Sequence, residues 1–160
     1  MSDDQALQEL IDRHHGRLVG LLRLRGCSPE EADDLAQETM LRLVKQWSPD
    51  APVENWWAWM ARVAINLQTS HWRRLAMITR RSALVDVRSE HHDPATLEAL
   101  DLLRGLTERQ RTVLVLRFYA GLSVRETAEA MGVAEGTVKS LTAAGRAAAR
   151  SVVEATEVMT

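Results

Sequence analysis

Three times this chain writes the start of a helix in the same chemical terms. Ser28-Pro29-Glu30-Glu31, Thr107-Glu108-Arg109-Gln110 and Ser123-Val124-Arg125-Glu126 each place a hydroxyl residue three positions before a glutamate or glutamine. In such a box the hydroxyl accepts a bond from the fourth residue's N–H, whose side chain accepts one from the first residue's N–H. Two amides that a helix start leaves orphaned are thereby satisfied. Gly26, Gly121 and Gly132 supply stops. Between these marks apolar residues return at intervals of three and four, as in Leu7, Leu10, Ile11, Leu18, Leu21 and Leu22. No strand pattern competes with them. The chain is all-α.

The periodicity divides the helices between two small domains, with no sequence repeat relating them. After the Ser28 box, Ala32, Leu35, Ala36, Thr39, Met40, Leu43, Val44 and Trp47 form a buried stripe, and Asp33, Asp34, Gln37, Glu38, Arg42 and Lys45 take the other faces. Pro49 and Pro52 end this element and introduce a tryptophan-rich helix from about Val53 to Leu75. There Trp56, Trp59, Met60, Val63, Ala64 and Leu67 share one face, whereas Trp57, Arg62, Asn66, Trp72 and Arg73 fall elsewhere. From Ala76 to Pro94 periodicity fades, and Ser-Glu-His-His-Asp-Pro reads as a solvated linker. Helical spacing returns with Leu97, Leu100 and Leu103, and the last helix starts near Ala134 and frays by Glu154. The expected division is a domain over 1–75, a linker over 76–95, a domain over 96–155 and a tail over 156–160.

Composition matters mainly through its distribution. Cys27 stands alone, so no intramolecular disulfide forms, and a plain buried thiol in a reducing cytosol is expected. No apolar run reaches the length of a membrane span and no leader pattern opens the chain. The net charge of −2 argues by itself against a nucleic-acid binder. Yet Asn55 to Val85 contains no acid, and holds Arg62, Arg73, Arg74, Arg80 and Arg81 together with His71 and four of the five tryptophans. A second acid-free stretch, Gly136 to Val153, carries Lys139, Arg146 and Arg150. Polarised charge of this kind is the footprint of phosphate-binding faces.

Two constellations could use those faces. Ala128, Gly132 and Val133, followed by Val138 and Leu141, supply the small residue, the turn and the anchors of a helix-turn-helix. Its second helix would present Glu135, Thr137, Lys139, Ser140 and Thr142, with backbone amides open to phosphate. A helical hairpin that only packs is the alternative. The tryptophan-rich helix offers flat rings for unpaired bases and cations for their phosphates. A merely amphipathic helix with a tryptophan core is the alternative there.

With these blocks in order, the chain resembles the extracytoplasmic-function sigma factors, which direct bacterial RNA polymerase to promoters. Asp33-Asp34-Leu35-Ala36-Gln37-Glu38-Thr39 with Leu41-Arg42-Leu43 looks like the family's polymerase-docking segment. Ala58-Trp59-Met60, Arg62-Val63-Ala64, Asn66-Leu67 and Arg73-Arg74 look like its promoter-opening segment. Leu106, Arg109-Gln110-Arg111, Val113-Leu114, Leu116-Arg117, Gly121-Leu122-Ser123, Glu126, Ala128 and Gly136-Thr137-Val138-Lys139-Ser140 follow its second DNA-binding domain. The resemblance implies two helical domains, of the region 2 and region 4 types.

It also implies site residues. Asp34, Leu35, Gln37, Glu38, Leu41 and Arg42 would grip the clamp of the polymerase largest subunit. Trp59, Arg62, Asn66, Trp72, Arg73 and Arg74 would meet the minus-ten element. Ser123, Glu135, Gly136, Thr137, Lys139, Ser140 and Arg146 would meet the minus-35 element. Implied partners are core polymerase, including the flap of its second largest subunit, promoter DNA and an anti-sigma factor. No cofactor, metal, catalytic residue or membrane insertion is implied, and the location is cytoplasmic. Two departures from the family pattern carry expectations. Leu141-Thr142-Ala143-Ala144-Gly145 removes cations from the recognition helix and puts a weakening glycine in it, and Trp57 and Ile65 stand where basic residues are usual, shifting minus-ten contacts toward stacking.

Two rivals come from other classes. A helix-turn-helix regulator acting without polymerase would leave the N-terminal domain without a task. A metal-dependent hydrolase would rest on His14-His15 and His91-His92, but adjacent histidines point to different sides of a helix and nothing completes a ligand set.

Overall fold

A computed structural model of the chain describes residues 2–79 and 94–159. The described residues form helices and turns, without a strand: α1 (Asp3–Leu24), α2 (Pro29–Gln46), α3 (Trp56–Thr79), α4 (Pro94–Arg104), α5 (Glu108–Leu114), a π-helical turn (Val115–Tyr119), α6 (Val124–Met131) and α7 (Glu135–Met159). They group into two compact units, residues 2–23 with 27–79 and residues 24–26 with 94–159. Arg80, Arg81, His91, His92 and most of the expected linker lie outside the described residues. None of the described helices is long and apolar enough to cross a membrane.

In the first unit only the serine half of the expected box at Ser28 forms. Its hydroxyl accepts from the Glu31 amide at 3.2 Å, Pro29 occupies the first helical position of α2, and the Glu31 carboxylate lies 3.6 Å from His71 Nε2. Asn55 caps α3, its side-chain oxygen accepting from the Ala58 amide at 3.2 Å. That cap starts the helix three residues later than the proline pattern suggests. No breaker follows Leu75, and α3 runs on to Thr79. Its buried face is Trp57, Met60, Ala61, Ala64, Ile65 and Gln68, which corrects the expected face by one residue. Trp56, Val63 and Leu67 are half-buried on the flanks, and Trp59 is half-buried farther round the helix. Gln68 donates through Nε2 to Cys27 Sγ (2.9 Å) and to the Leu22 carbonyl (3.4 Å), fastening α3 to the end of α1. Cys27 is buried and forms no disulfide among the described residues.

Trp57 is 6% exposed and packs on α1. His14 stacks on its ring at 5.2 Å, and the Arg17 guanidinium lies 4.2 Å from the ring centroid. Burial, reinforced by Arg17 and Arg13, pushes His14 below the ordinary histidine value of 6.5. Its Nδ1 is buried without a hydrogen-bond partner among the described residues. As pH falls below 6.5, the unfolded chain takes up a proton that the folded His14 still refuses, so stability drops. Urea unfolding at pH about 7.5 and about 5.5 is expected to show a smaller acid-induced loss for His14→Phe than for the parent, because phenylalanine keeps the stack without titrating. An equal loss in both proteins would place the acid sensitivity elsewhere.

In the second unit both expected capping boxes are closed. Thr107 and Gln110 exchange bonds at 3.2 Å each, and Ser123 and Glu126 at 2.9 and 3.0 Å. Gly132 takes the left-handed conformation (φ 67°, ψ 36°) that ends α6, and α7 begins three residues on. Val113, Ala128 and Val138 are the buried centre, surrounded by Leu114, Val124, Met131, Val133 and Leu141. The helix opened by Thr107 does not run uniformly to Gly121. It widens into the π-helical turn, which leaves Phe118 55% exposed. The last helix extends to Met159, past the expected fraying point, and packs along α4.

Candidate functional site

Three surfaces gather the residues singled out in the sequence. On α2, Asp34, Gln37, Glu38, Leu41 and Arg42 are exposed and Leu35 is half-buried. Arg42 Nε lies 3.3 Å from Glu38 Oε1, an exposed pair worth only some tenths of a kcal/mol. The apolar content of this face is more informative. Leu41 is 57% exposed, and so is 49% of Val44, which the periodicity assigns to the buried stripe. Leu43 is the residue that faces the core, and Val44, one position on, is turned about 100° away from it. Two aliphatic side chains thus stand among carboxylates and an arginine, the composition of a protein-docking patch and a poor one for phosphate.

On α3, Trp59, Arg62, Asn66 and Arg73 follow one another at intervals of three, four and seven, and so share the face opposite the buried one. Arg62, Asn66 and Arg73 are exposed, and Trp59 is half-buried with its ring 5.5 Å from that of Trp56 in an edge arrangement at 73°. Arg74 is exposed on the flank, and Trp72 is half-buried toward the core side. The face has no carboxylate of its own helix. It therefore offers cations, an amide and a ring to a nucleic-acid strand. The expected shift toward stacking through Trp57 and Ile65 does not arise there, because both are buried in the core, at 6% and 4% exposure.

On α7, Glu135, Gly136, Lys139 and Ser140 are exposed and Thr137 is half-buried. The Ser140 hydroxyl is returned to the Gly136 carbonyl at 3.0 Å. Ser123 serves as the α6 cap. Arg146 is exposed, with its guanidinium 4.7 Å from the Phe118 ring centroid. Gly145 is not a weak point on an exposed face. It is buried, and an added Cβ would come within 3.2 Å of Leu114 Cγ, so the glycine lets α7 approach α5. Sequence reasoning misses Phe118 because the π-helical turn inserts an extra residue per turn and rotates the side chains after it. No periodicity count contains that shift.

Family models of Sigma-70 region 2 and Sigma-70 region 4 match residues 10–89 and 96–148. The chain is 34% identical over 138 residues to an RNA polymerase sigma-E factor of Streptomyces avermitilis, covering 83% of this chain and 76% of that protein. It is 36% identical over 152 residues to the ECF RNA polymerase sigma factor SigM of Mycobacterium tuberculosis, covering 91% and 76%. Among solved structures its fold is similar to the sigma factor RpoE in complex with the anti-sigma factor NepR from Bartonella quintana. There the TM-score is 0.79 at 19% identity, over 94% of this chain and 98% of that one. A second similar structure is CnrH in complex with the cytosolic domain of CnrY, with a TM-score of 0.69 at 23% identity over 96% and 91%.

Proposed function

Because the chain belongs to the sigma-70 family, in its extracytoplasmic-function group, we propose a division of labour among the three surfaces. The protein is a transcription initiation factor of RNA polymerase. A helix-turn-helix regulator independent of polymerase does not account for the match over residues 10–89. The α2 face, through Asp34, Gln37, Glu38, Leu41 and Arg42 with Leu35 behind them, docks on the clamp of core polymerase. The α3 face receives the minus-ten element as it opens, with Asn66 beside a base, Trp59 stacking, and Arg62, Arg73 and Arg74 on phosphates. The start of α7 reads the minus-35 element through Glu135, Thr137, Lys139 and Ser140, with Arg146 along the backbone. The protein acts in the cytoplasm without catalysis of its own, alongside core polymerase, promoter DNA and an anti-sigma factor.

The observation that carries this reading is the acid-free α3 face of Trp59, Arg62, Asn66 and Arg73, turned away from the core. A protein that only bound duplex DNA through α7 would have no use for it. Run-off transcription with core polymerase tests the proposal. The parent should yield promoter-specific transcripts. Asn66→Ala should lower open-complex formation and alter preference within the minus-ten element, while Arg73→Ala should weaken binding across sequences and lessen its salt dependence by about one phosphate contact. Parental behaviour by both variants would move the opening site off this face.

A further inference from the structure

The end of α3 differs from the rest of the helix. From Arg73 to Met77 every side chain is exposed, and this stretch belongs to the acid-free run that begins at Asn55. Met40 and Met60 are buried, as long apolar side chains usually are, whereas Met77 is 82% exposed. A single exposed apolar residue is ordinary, and position is what gives this one meaning. Eleven residues separate Met77 from Asn66. That is about three helical turns, so the two lie within about 20° of one line along the helix. Trp59, Arg62 and Arg73 follow the same stripe, and Arg74 flanks it. Met77 therefore extends a row of ring, cation and amide with an unbranched, flexible and polarisable side chain.

We propose that Met77 is the apolar wedge of this face: its side chain enters a base step of promoter DNA beyond the stretch held by Asn66 and the arginines, and pries that step apart. The proposal rests on the reading of α3 as the promoter-opening surface. Charge commits the contact to nucleic acid, since Arg73 and Arg74 complement phosphates and α3 has no carboxylate to repel them. An apolar side chain between bases replaces part of the stacking that it disrupts, which is how such wedges hold a duplex kinked. At a rise of about 1.5 Å per residue, Met77 stands roughly 16 Å beyond Asn66. A strand laid along the stripe, at about 3.4 Å per base, covers about five bases in that span. Pyrimidine–purine steps unstack most easily. Met77 thus adds a preference for such a step about five positions from the base at Asn66.

The test uses the full-length protein with core polymerase and compares Met77→Ser and Met77→Leu with the parent. Met77→Ser should slow promoter opening, read by permanganate reactivity of unpaired thymines, by about tenfold. It should also erase the preference for a pyrimidine–purine step. Met77→Leu, still apolar and of similar length, should open promoters as the parent does. The position is exposed, so thermal melting of both variants should match the parent. No phosphate contact is lost, so the salt dependence of initial binding should stay unchanged, unlike that of Arg73→Ala. On a promoter whose step is already unpaired by mismatch, Met77→Ser should recover the parental rate. Impaired opening by Asn66→Ala with parental opening by Met77→Ser overturns the wedge and keeps the α3 reading. Parental opening by both overturns that reading, and the wedge with it. Failure of the mismatched promoter to rescue Met77→Ser also overturns the wedge, because the side chain would then act on something other than the base step.

Discussion

Leu41→Asp is expected to abolish co-purification with core polymerase while leaving the fold intact. The leucine is 57% exposed, so the folded chain gains little from it. Burying it in an interface would contribute about 2 kcal/mol, roughly a thirtyfold difference in affinity. Aspartate forfeits that contribution and also brings a carboxylate into a dry contact that already holds Asp34 and Glu38 beside it, a further cost of a few kcal/mol. Affinity should fall by about two orders of magnitude or more. Arg42→Ala should do less to stability than its ion pair suggests, since an exposed i,i+4 pair is worth about 0.3–0.5 kcal/mol. Circular dichroism and thermal melting of Leu41→Asp should stay close to the parent, apart from the roughly 0.5 kcal/mol by which aspartate is the poorer helix former. Undiminished recovery with core enzyme would mean that α2 docks through another face.

The second large effect separates two neighbouring tryptophans. Trp57→Ala should destabilise the first unit by about 3–5 kcal/mol. The ring is buried against α1, stacked with His14 and covered by the Arg17 guanidinium, and its removal leaves a void that rigid helices do not close. A domain with about 5–15 kcal/mol in hand loses much of its margin. Trp59→Ala lies on the half-exposed side and should cost about 1 kcal/mol or less, yet impair promoter opening. Urea unfolding followed by circular dichroism measures the first effect, and open-complex assays the second. Should Trp59→Ala prove the destabilising variant and Trp57→Ala the mild one, α3 would have to be rotated by about 160°.

Chemistry between near neighbours in the chain is legible in the sequence alone. The capping boxes at Thr107 and Ser123, the serine cap at Ser28, the turn at Gly132 and the anchors Val133, Val138 and Leu141 all rest on bonds or packing within a few residues, and each appears where the sequence puts it. The polarity of α3 is equally legible, since the lack of acid from Asn55 to Val85 is a property of the string. The rotation of α3 is not. Trp56, Trp57, Ala58, Trp59, Met60 and Ala61 are apolar without interruption, so a helical wheel fits them in more than one phase. The choice falls to distant groups: His14 and Arg17 for Trp57, Leu22 and Cys27 for Gln68.

The same division explains the remaining corrections. Val44 is an aliphatic residue at helical spacing, and only the position of the core tells whether it is filling or surface. Gly145 has poor helix propensity in any sequence scale, but its value lies in the missing Cβ that would press on Leu114, thirty-one positions away. Local rules of hydrogen bonding and backbone freedom suffice for the helices, their ends, the corner and the charge of each face. Which side of a helix is core, and which apolar residues remain outside to meet a partner, depends on packing between segments far apart in the chain, because burial is a property of the space around a side chain and not of its neighbours in sequence.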